Sequence, residues 1–133
     1  MTQPRSGKFI VIEGIDGSGK ATQLKKLSDF LISKNYEIAT FDFPQYGKPS
    51  SYFVREYLNG HYGAFENISP YQASVYFAID RYEAKKAILE SLNSGKIVLS
   101  NRYVGSNMAH QGSHLASPED QKKYFSWLEN FEF

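Results

Sequence analysis

The sequence predicts an α/β protein built on a parallel sheet, and three observations carry that prediction. Three short runs, Phe9-Ile10-Val11-Ile12, Ile38-Ala39-Thr40-Phe41 and Ile97-Val98-Leu99, read as strands, the first buried on both faces and the third continuously apolar. Segments of helical apolar spacing separate them, and strand–helix alternation places helices on both faces of a parallel sheet. A glycine-rich turn, Gly14-Ile15-Asp16-Gly17-Ser18-Gly19-Lys20, joins the first run directly to the first helix.

Each element follows from its own residues. Met1 to Gly7 is a polar tail, and Lys8 to Glu13 is the first strand. The helix from Lys20 to about Lys34 puts Leu24, Leu27 and Leu31 on one face, and Asn35 suits its stop. Glu37 to Phe43 is the second strand, ended by Pro44, which has no N–H for a ladder. After a polar loop, Ser50 caps a short helix with Val54, Tyr57 and Leu58, stopped by Gly60. Ser69-Pro70-Tyr71-Gln72 is a strong helix start: a serine cap, proline in the first turn and glutamine three residues on. That helix runs to about Asn93, with Val75, Ile79, Tyr82, Leu89 and Leu92 expected to face the core and Gly95 to close it. Ile97 to Leu99 is the third strand. Asn101-Arg102-Tyr103 follows, His110 and Gln111 fall in a loop, and Ser117 caps a last helix carrying Tyr124, Phe125, Trp127 and Leu128.

The totals narrow the function. Fifteen basic residues against fourteen acidic leave +1, which argues against bulk affinity for nucleic acid or membrane. There is no cysteine, which excludes disulfides and thiolate catalysis and is compatible with a cytoplasmic setting. No signal peptide, membrane span or repeat is visible. The high aromatic share, 16%, fits base-stacking surfaces and a tyrosine- and phenylalanine-rich core equally well.

The glycine-rich turn has the spacing and the strand–helix context of a phosphate-binding loop. Its backbone N–H groups can curl around an anion, the helix N-terminus adds partial positive charge, and Lys20 adds a full one. The bland alternative is an ordinary turn. One position breaks the pattern: Ala21 stands where a magnesium-binding hydroxyl is usual, and Thr22 comes one residue late. In parallel sheets ligands bind at the carboxyl ends of strands, so this loop, Phe43-Pro44 and Asn101-Arg102-Tyr103 converge by topology.

Asp16 is anomalous inside a phosphate cradle. It either points outward to accept from a substrate hydroxyl or belongs to a turn dipeptide. Phe77 and Arg81 share a helix face and suit stacking on a base and gripping a phosphate, but spacing alone favours a core phenylalanine beside a surface arginine paired with Asp80 or Glu83. His61, His110 and His114 show no zinc-ligand spacing with acids.

These pieces together resemble the thymidylate kinases, which move the γ-phosphoryl group of ATP to dTMP. The resemblance rests on Glu13-Gly14-Ile15-Asp16-Gly17-Ser18-Gly19-Lys20, Phe43-Pro44, Phe77-Ala78-Ile79-Asp80-Arg81, Arg102-Tyr103 with Ser106, and Gln111-Gly112, in order along residues 8–112. It implies a P-loop NTPase-type three-layer sandwich and a kinase reaction made mostly of positioning and charge neutralisation. It implies that Gly14, Ile15, Asp16, Gly17, Ser18, Gly19, Lys20, Ala21 and Thr22 surround ATP, with Lys20, Arg102 and Asp16 as the catalytic groups. Asp16 would accept from the dTMP 3′-hydroxyl, and Arg102 would bind the dTMP phosphate. Phe77 would stack on thymine, Arg81 and Gln111 would contact the base, Ser106 and His110 would lie beside it, and Phe43 would wall the acceptor pocket.

Three departures stand against the pattern. The family usually has Ser or Thr at position 21 and Asp at position 101, both serving the Mg²⁺ shell; here they are Ala21 and Asn101. Either Thr22, the Asn101 carbonyl and waters hold Mg²⁺ with ATP, or the protein binds nucleotide and turns over poorly. His110 replaces a common Tyr or Phe, which bears on sugar discrimination. The family sheet has strand order 2-3-1-4-5, of which this chain supplies 2-3-1 and no lid. Residues 1–133 are therefore expected to be one P-loop kinase domain, the N-terminal portion of a longer one, with the first strand an open edge. The resemblance further implies a cytoplasmic homodimer formed through the helix from Ser69. A kinase for another deoxynucleoside monophosphate is the nearest rival.

Overall fold

The computed structural model describes residues 6–133, so Met1 to Arg5 of the expected polar tail lie outside the described residues. The chain forms two compact units: residues up to Phe43 with Ala84–Tyr103, and Pro44–Glu83 with Val104–Phe133.

The first unit holds the sheet. Strands β1 (Lys8–Ile12), β3 (Ile97–Asn101) and β2 (Ile38–Asp42) lie parallel in the order β1-β3-β2, which is the 2-3-1 order expected. Asn101 at the end of β3 stands in register with Ile12 on β1 and Asp42 on β2. Helix α1 (Lys20–Ser33) covers one face, where Leu24, Leu27 and Leu31 pack with Ile10, Ile38, Ile97 and Leu99. The later turns of α3 (Pro70–Asn93) cover the other, where Ala84, Ile88 and Leu92 meet Ala39, Phe41, Phe43, Val98 and Tyr103. This is an α/β/α sandwich, with β3 buried along Ile97–Ser100; β1, read from its apolar run as buried on both faces, instead lies at the sheet edge with no fully buried residue and Phe9 36% exposed.

The expected stops hold. Asn35 adopts φ 63° just after α1, and Gly95 adopts φ 82° after α3. A different constraint acts at Gly7, where a Cβ would sit 2.4 Å from the Leu92 carbonyl oxygen, so close passage of the chain requires glycine there.

The second unit is helical. It contains α2 (Tyr52–Leu58), the first turns of α3, α4 (Val104–Gly112) and α5 (Pro118–Glu132). Its core gathers Tyr57, Ile68 and Ala73 with Tyr76 and Phe77, while Tyr124 and Leu128 of α5 are fully buried. Serine caps start two of these helices: Ser69 Oγ accepts from Gln72 N at 3.1 Å, and Ser117 Oγ accepts from Asp120 N at 3.1 Å.

Three expectations are corrected. His110 and Gln111 are not in a loop but on α4. The helix hid because its buried positions, Val104, Asn107, Gln111 and Gly112, have helical spacing yet are half polar, so no apolar stripe appears. Ile79, Tyr82 and Leu89 do not face the core of α3; they are 38%, 72% and 46% exposed. The buried positions are instead Ala73, Ser74, Asp80, Arg81, Ala84 and Ile88, because the two charged residues find polar partners inside. Ser50 does not cap α2, which is entered through a 3₁₀ turn over Pro49–Ser51. Its hydroxyl donates to Asp80 Oδ1 at 2.5 Å.

Candidate functional site

In the first unit, the loop between β1 and α1 is shaped by its glycines. Gly17 and Gly19 take φ 76° and 91°, a left-handed conformation that costs other residues strain. At Gly14 a Cβ would lie 2.7 Å from Ser18 Oγ. Ser18 N donates to the Ile15 carbonyl at 3.2 Å, and Lys20 Nζ folds back to the same carbonyl at 2.7 Å. The lysine thus sits across the loop it is expected to serve, beside the start of α1.

The segment after β3 is bound to this loop. Arg102 N donates to the Ile12 carbonyl at 2.9 Å, and Tyr103 N donates to Glu13 Oε1 at 2.9 Å. Arg102 itself has φ 65°, an uncommon conformation for a non-glycine residue. Its carbonyl accepts from Ser100 Oγ at 2.7 Å. Its guanidinium pairs with the Asp16 carboxylate. Asp16 therefore points out of the loop toward a cation, and the anomaly of a carboxylate in a phosphate cradle is resolved electrostatically. Asp16 remains 94% exposed and Arg102 28%, so both stay open to a ligand.

The Asn101 Nδ2 donates to Asp42 Oδ1 at 3.1 Å, while Asn101 Oδ1 is enclosed with no hydrogen-bond partner. An enclosed oxygen of this kind is a group that a water or cation satisfies. Thr22 is exposed on the first turn of α1, and Ala21 beside it offers no oxygen. Oxygen donors suited to a hard cation are thus present in Asn101 and Thr22. Phe43 is 4% exposed and packs edge-on against Tyr103 with ring centroids 5.4 Å apart, so it contributes to the core of this unit.

In the second unit, Phe77 is half-buried and meets Tyr57 edge-on at 6.1 Å. Arg81 is neither exposed nor paired with Asp80 or Glu83. Its guanidinium is 4% exposed and pairs through Nε and Nη2 with both carboxylate oxygens of Glu132, itself 8% exposed. Asp80 turns elsewhere, accepting from Gln45 N at 2.7 Å and Gln45 Nε2 at 3.1 Å.

Helix α4 brings Ser106, Asn107, His110 and Gln111 together. Ser106 is half-buried, His110 is exposed with its ring 5.1 Å from that of His114, and Gln111 is buried. Asn107 Nδ2 donates to Ser74 Oγ at 3.0 Å and lies 3.4 Å from the Tyr124 hydroxyl; its Oδ1 is enclosed without a partner. Burial pushes the Tyr124 phenol up, and the Ser74 hydrogen bond only partly offsets this.

Sequence reasoning missed Glu13, Asp42, Asn107 and Glu132. Glu13 carried a signal, since a carboxylate directly after a buried strand needs a donor. Glu132 carried none, because its partner is 51 residues away.

The chain matches the family model for thymidylate kinase over residues 12–125. It is 40% identical over 106 residues to a probable thymidylate kinase of Pyrococcus horikoshii, covering 79% of this chain and 52% of that protein. It is 34% identical over 126 residues to the thymidylate kinase of Mycobacterium tuberculosis, covering 94% and 58%. The solved thymidylate kinase of Candida albicans superposes with a TM-score of 0.73 at 28% identity, covering 92% of this chain and 56% of that one. The chain thus spans about half the length of the curated relatives it matches. Carrying a glycine-formed loop, an arginine–aspartate pair above it and the matching sheet, this chain belongs to the thymidylate kinase family.

Proposed function

We propose that the protein phosphorylates dTMP to dTDP with ATP. The observation that carries this reading is the pairing of Arg102 with Asp16 over the glycine-shaped loop: a cation for an acceptor phosphate and a carboxylate for a sugar hydroxyl, held beside a phosphate cradle. In this reading the loop from Gly14 to Thr22 and Lys20 hold the ATP phosphates, Arg102 holds the dTMP phosphate, and Asp16 accepts from the 3′-hydroxyl. Phe77 stacks on thymine, Arg81 and Gln111 contact the base, Ser106 and His110 lie beside it, and Phe43 backs the acceptor. Catalysis is by positioning and by neutralising charge on the transferred group.

Asn101 and Thr22 are the residues we assign to a Mg²⁺ shell, directly or through water. Held there, Mg²⁺ would supply positive charge to neutralise the ATP phosphates during transfer. We further propose a cytoplasmic homodimer. The exposed Ile79 and Tyr82, three residues apart on α3, support the second part of that assignment. Among the described residues no helix is long and apolar enough to cross a membrane.

Titration of dTMP against dGMP and dCMP, reading ADP formation, tests the substrate. A clear preference for dTMP is expected, and a preference for a purine overturns the assignment. Ala21 and Asn101 favour a second reading, a nucleotide-binding relative with weak turnover. A dTMP-dependent rate no higher than the enzyme-free background selects it.

A further inference from the structure

An aspartate offers oxygen on either edge of its carboxylate, but an asparagine offers oxygen on one edge and N–H donors on the other. Asn101 at a metal-facing position therefore works only if its amide is held the right way round. A free amide can turn its NH₂ edge, which carries partial positive charge, toward a cation.

Asp42 fixes that choice. It stands in register beside Asn101 on the neighbouring strand, and paired residues of parallel strands point to the same face. Its ionised carboxylate accepts only, so it takes the Nδ2 edge, at 3.1 Å. The oxygen edge of the planar amide is thereby turned away from β2. This is the oxygen that is enclosed and has no partner. With the opposite orientation, two oxygens would face one another across the strands.

The geometry points to Asp42 as a positioning residue for the metal shell: it fixes the Asn101 amide so that oxygen, not nitrogen, is the edge left for a cation. The inference rests on the Mg²⁺ assignment made above and adds a residue to it. Its chemistry is that of an outer carboxylate orienting an inner ligand, whose removal typically weakens metal affinity about tenfold or more.

The experiment is a thermodynamic cycle on the protein in its natural length, with Mn²⁺ as the probe and ATP present. Free Mn²⁺ is counted by electron paramagnetic resonance, and ATP affinity without metal serves as the control for folding. Asp42→Ala is expected to weaken Mn²⁺ binding about tenfold and leave metal-free ATP affinity unchanged. In an Asn101→Asp background, where either edge is oxygen, the same Asp42→Ala change is expected to alter Mn²⁺ affinity by no more than about twofold. Unchanged Mn²⁺ affinity in the Asn101 background overturns the inference. Equal losses in both backgrounds also overturn it, since Asp42 would then act through its own charge. Absence of any ATP-dependent Mn²⁺ site in the unaltered protein overturns the metal assignment itself, and this inference with it.

Discussion

The glycine-rich loop of the first unit and the buried polar contacts of the second are built in opposite ways. The loop is made from backbone: two left-handed glycines, a carbonyl that gathers Ser18 and Lys20, and side chains that stay exposed. The second unit uses side chains locked inside: Arg81 on Glu132, Asp80 on Gln45 and Ser50, and Asn107 on Ser74 and Tyr124. The difference teaches which changes should touch function alone and which should touch stability as well. An exposed charge over a backbone cradle can be removed at little structural cost. A buried, fully paired charge cannot.

The largest expected effect is at Lys20. Lys20→Met should lower kcat by roughly a thousandfold, and a thermal melt should show a midpoint close to that of the unaltered protein. A melt that collapses together with activity would erase the contrast. Next is Glu132→Ala, which leaves the Arg81 guanidinium buried without its partner and should destabilise the fold by about 3 to 5 kcal/mol. Urea unfolding measures this directly; a loss near zero would show that the pair is not enclosed in solution.

Gly19→Ala tests the backbone side of the comparison. At φ 91° a Cβ has open space around it and meets no atom within 4 Å, so only conformational strain opposes it. A destabilisation of about 1 to 2 kcal/mol is expected, with ATP affinity falling in parallel as the loop relaxes. Isothermal titration with ATP separates the two losses.

The smallest effect concerns pH. Burial raises the Tyr124 pKa above that of an exposed phenol, so the folded state favours the neutral form. The stability this contributes is fully present below about pH 10 and is lost as pH rises from there through the folded value. Tyr124→Phe should flatten the alkaline end of a stability–pH curve, while costing about 1 kcal/mol at neutral pH through the lost hydroxyl contacts with Ser74. An alkaline limb unchanged by the substitution would place the titration elsewhere.

The same contrast explains how much was legible in the sequence. Backbone sites write themselves as local patterns: Gly14, Gly17, Gly19 and Lys20 announced the loop, and three apolar runs announced the sheet, while its strand order came only from the resemblance to the thymidylate kinases. The capping residues Ser69 and Ser117 and the stop at Asn35 were readable because each acts within a few positions of itself. Helix α4 was not readable, because the residues it buries include Asn107 and Gln111, whose burial is licensed by partners rather than by apolarity. Arg81 looked like a surface residue for the same reason: nothing near it in the sequence announces Glu132. Asp42 fell within the second strand with nothing to mark it, and only the parallel register puts it beside Asn101.

The most direct measurement is ADP release by the natural-length protein in the presence of ATP, Mg²⁺ and dTMP, run beside its Arg102→Ala variant. A rate that requires dTMP and falls by about a hundredfold or more in the variant is the expected result. ADP release that is independent of dTMP, or that survives removal of Arg102, contradicts the assignment of Arg102 and Asp16 to the acceptor.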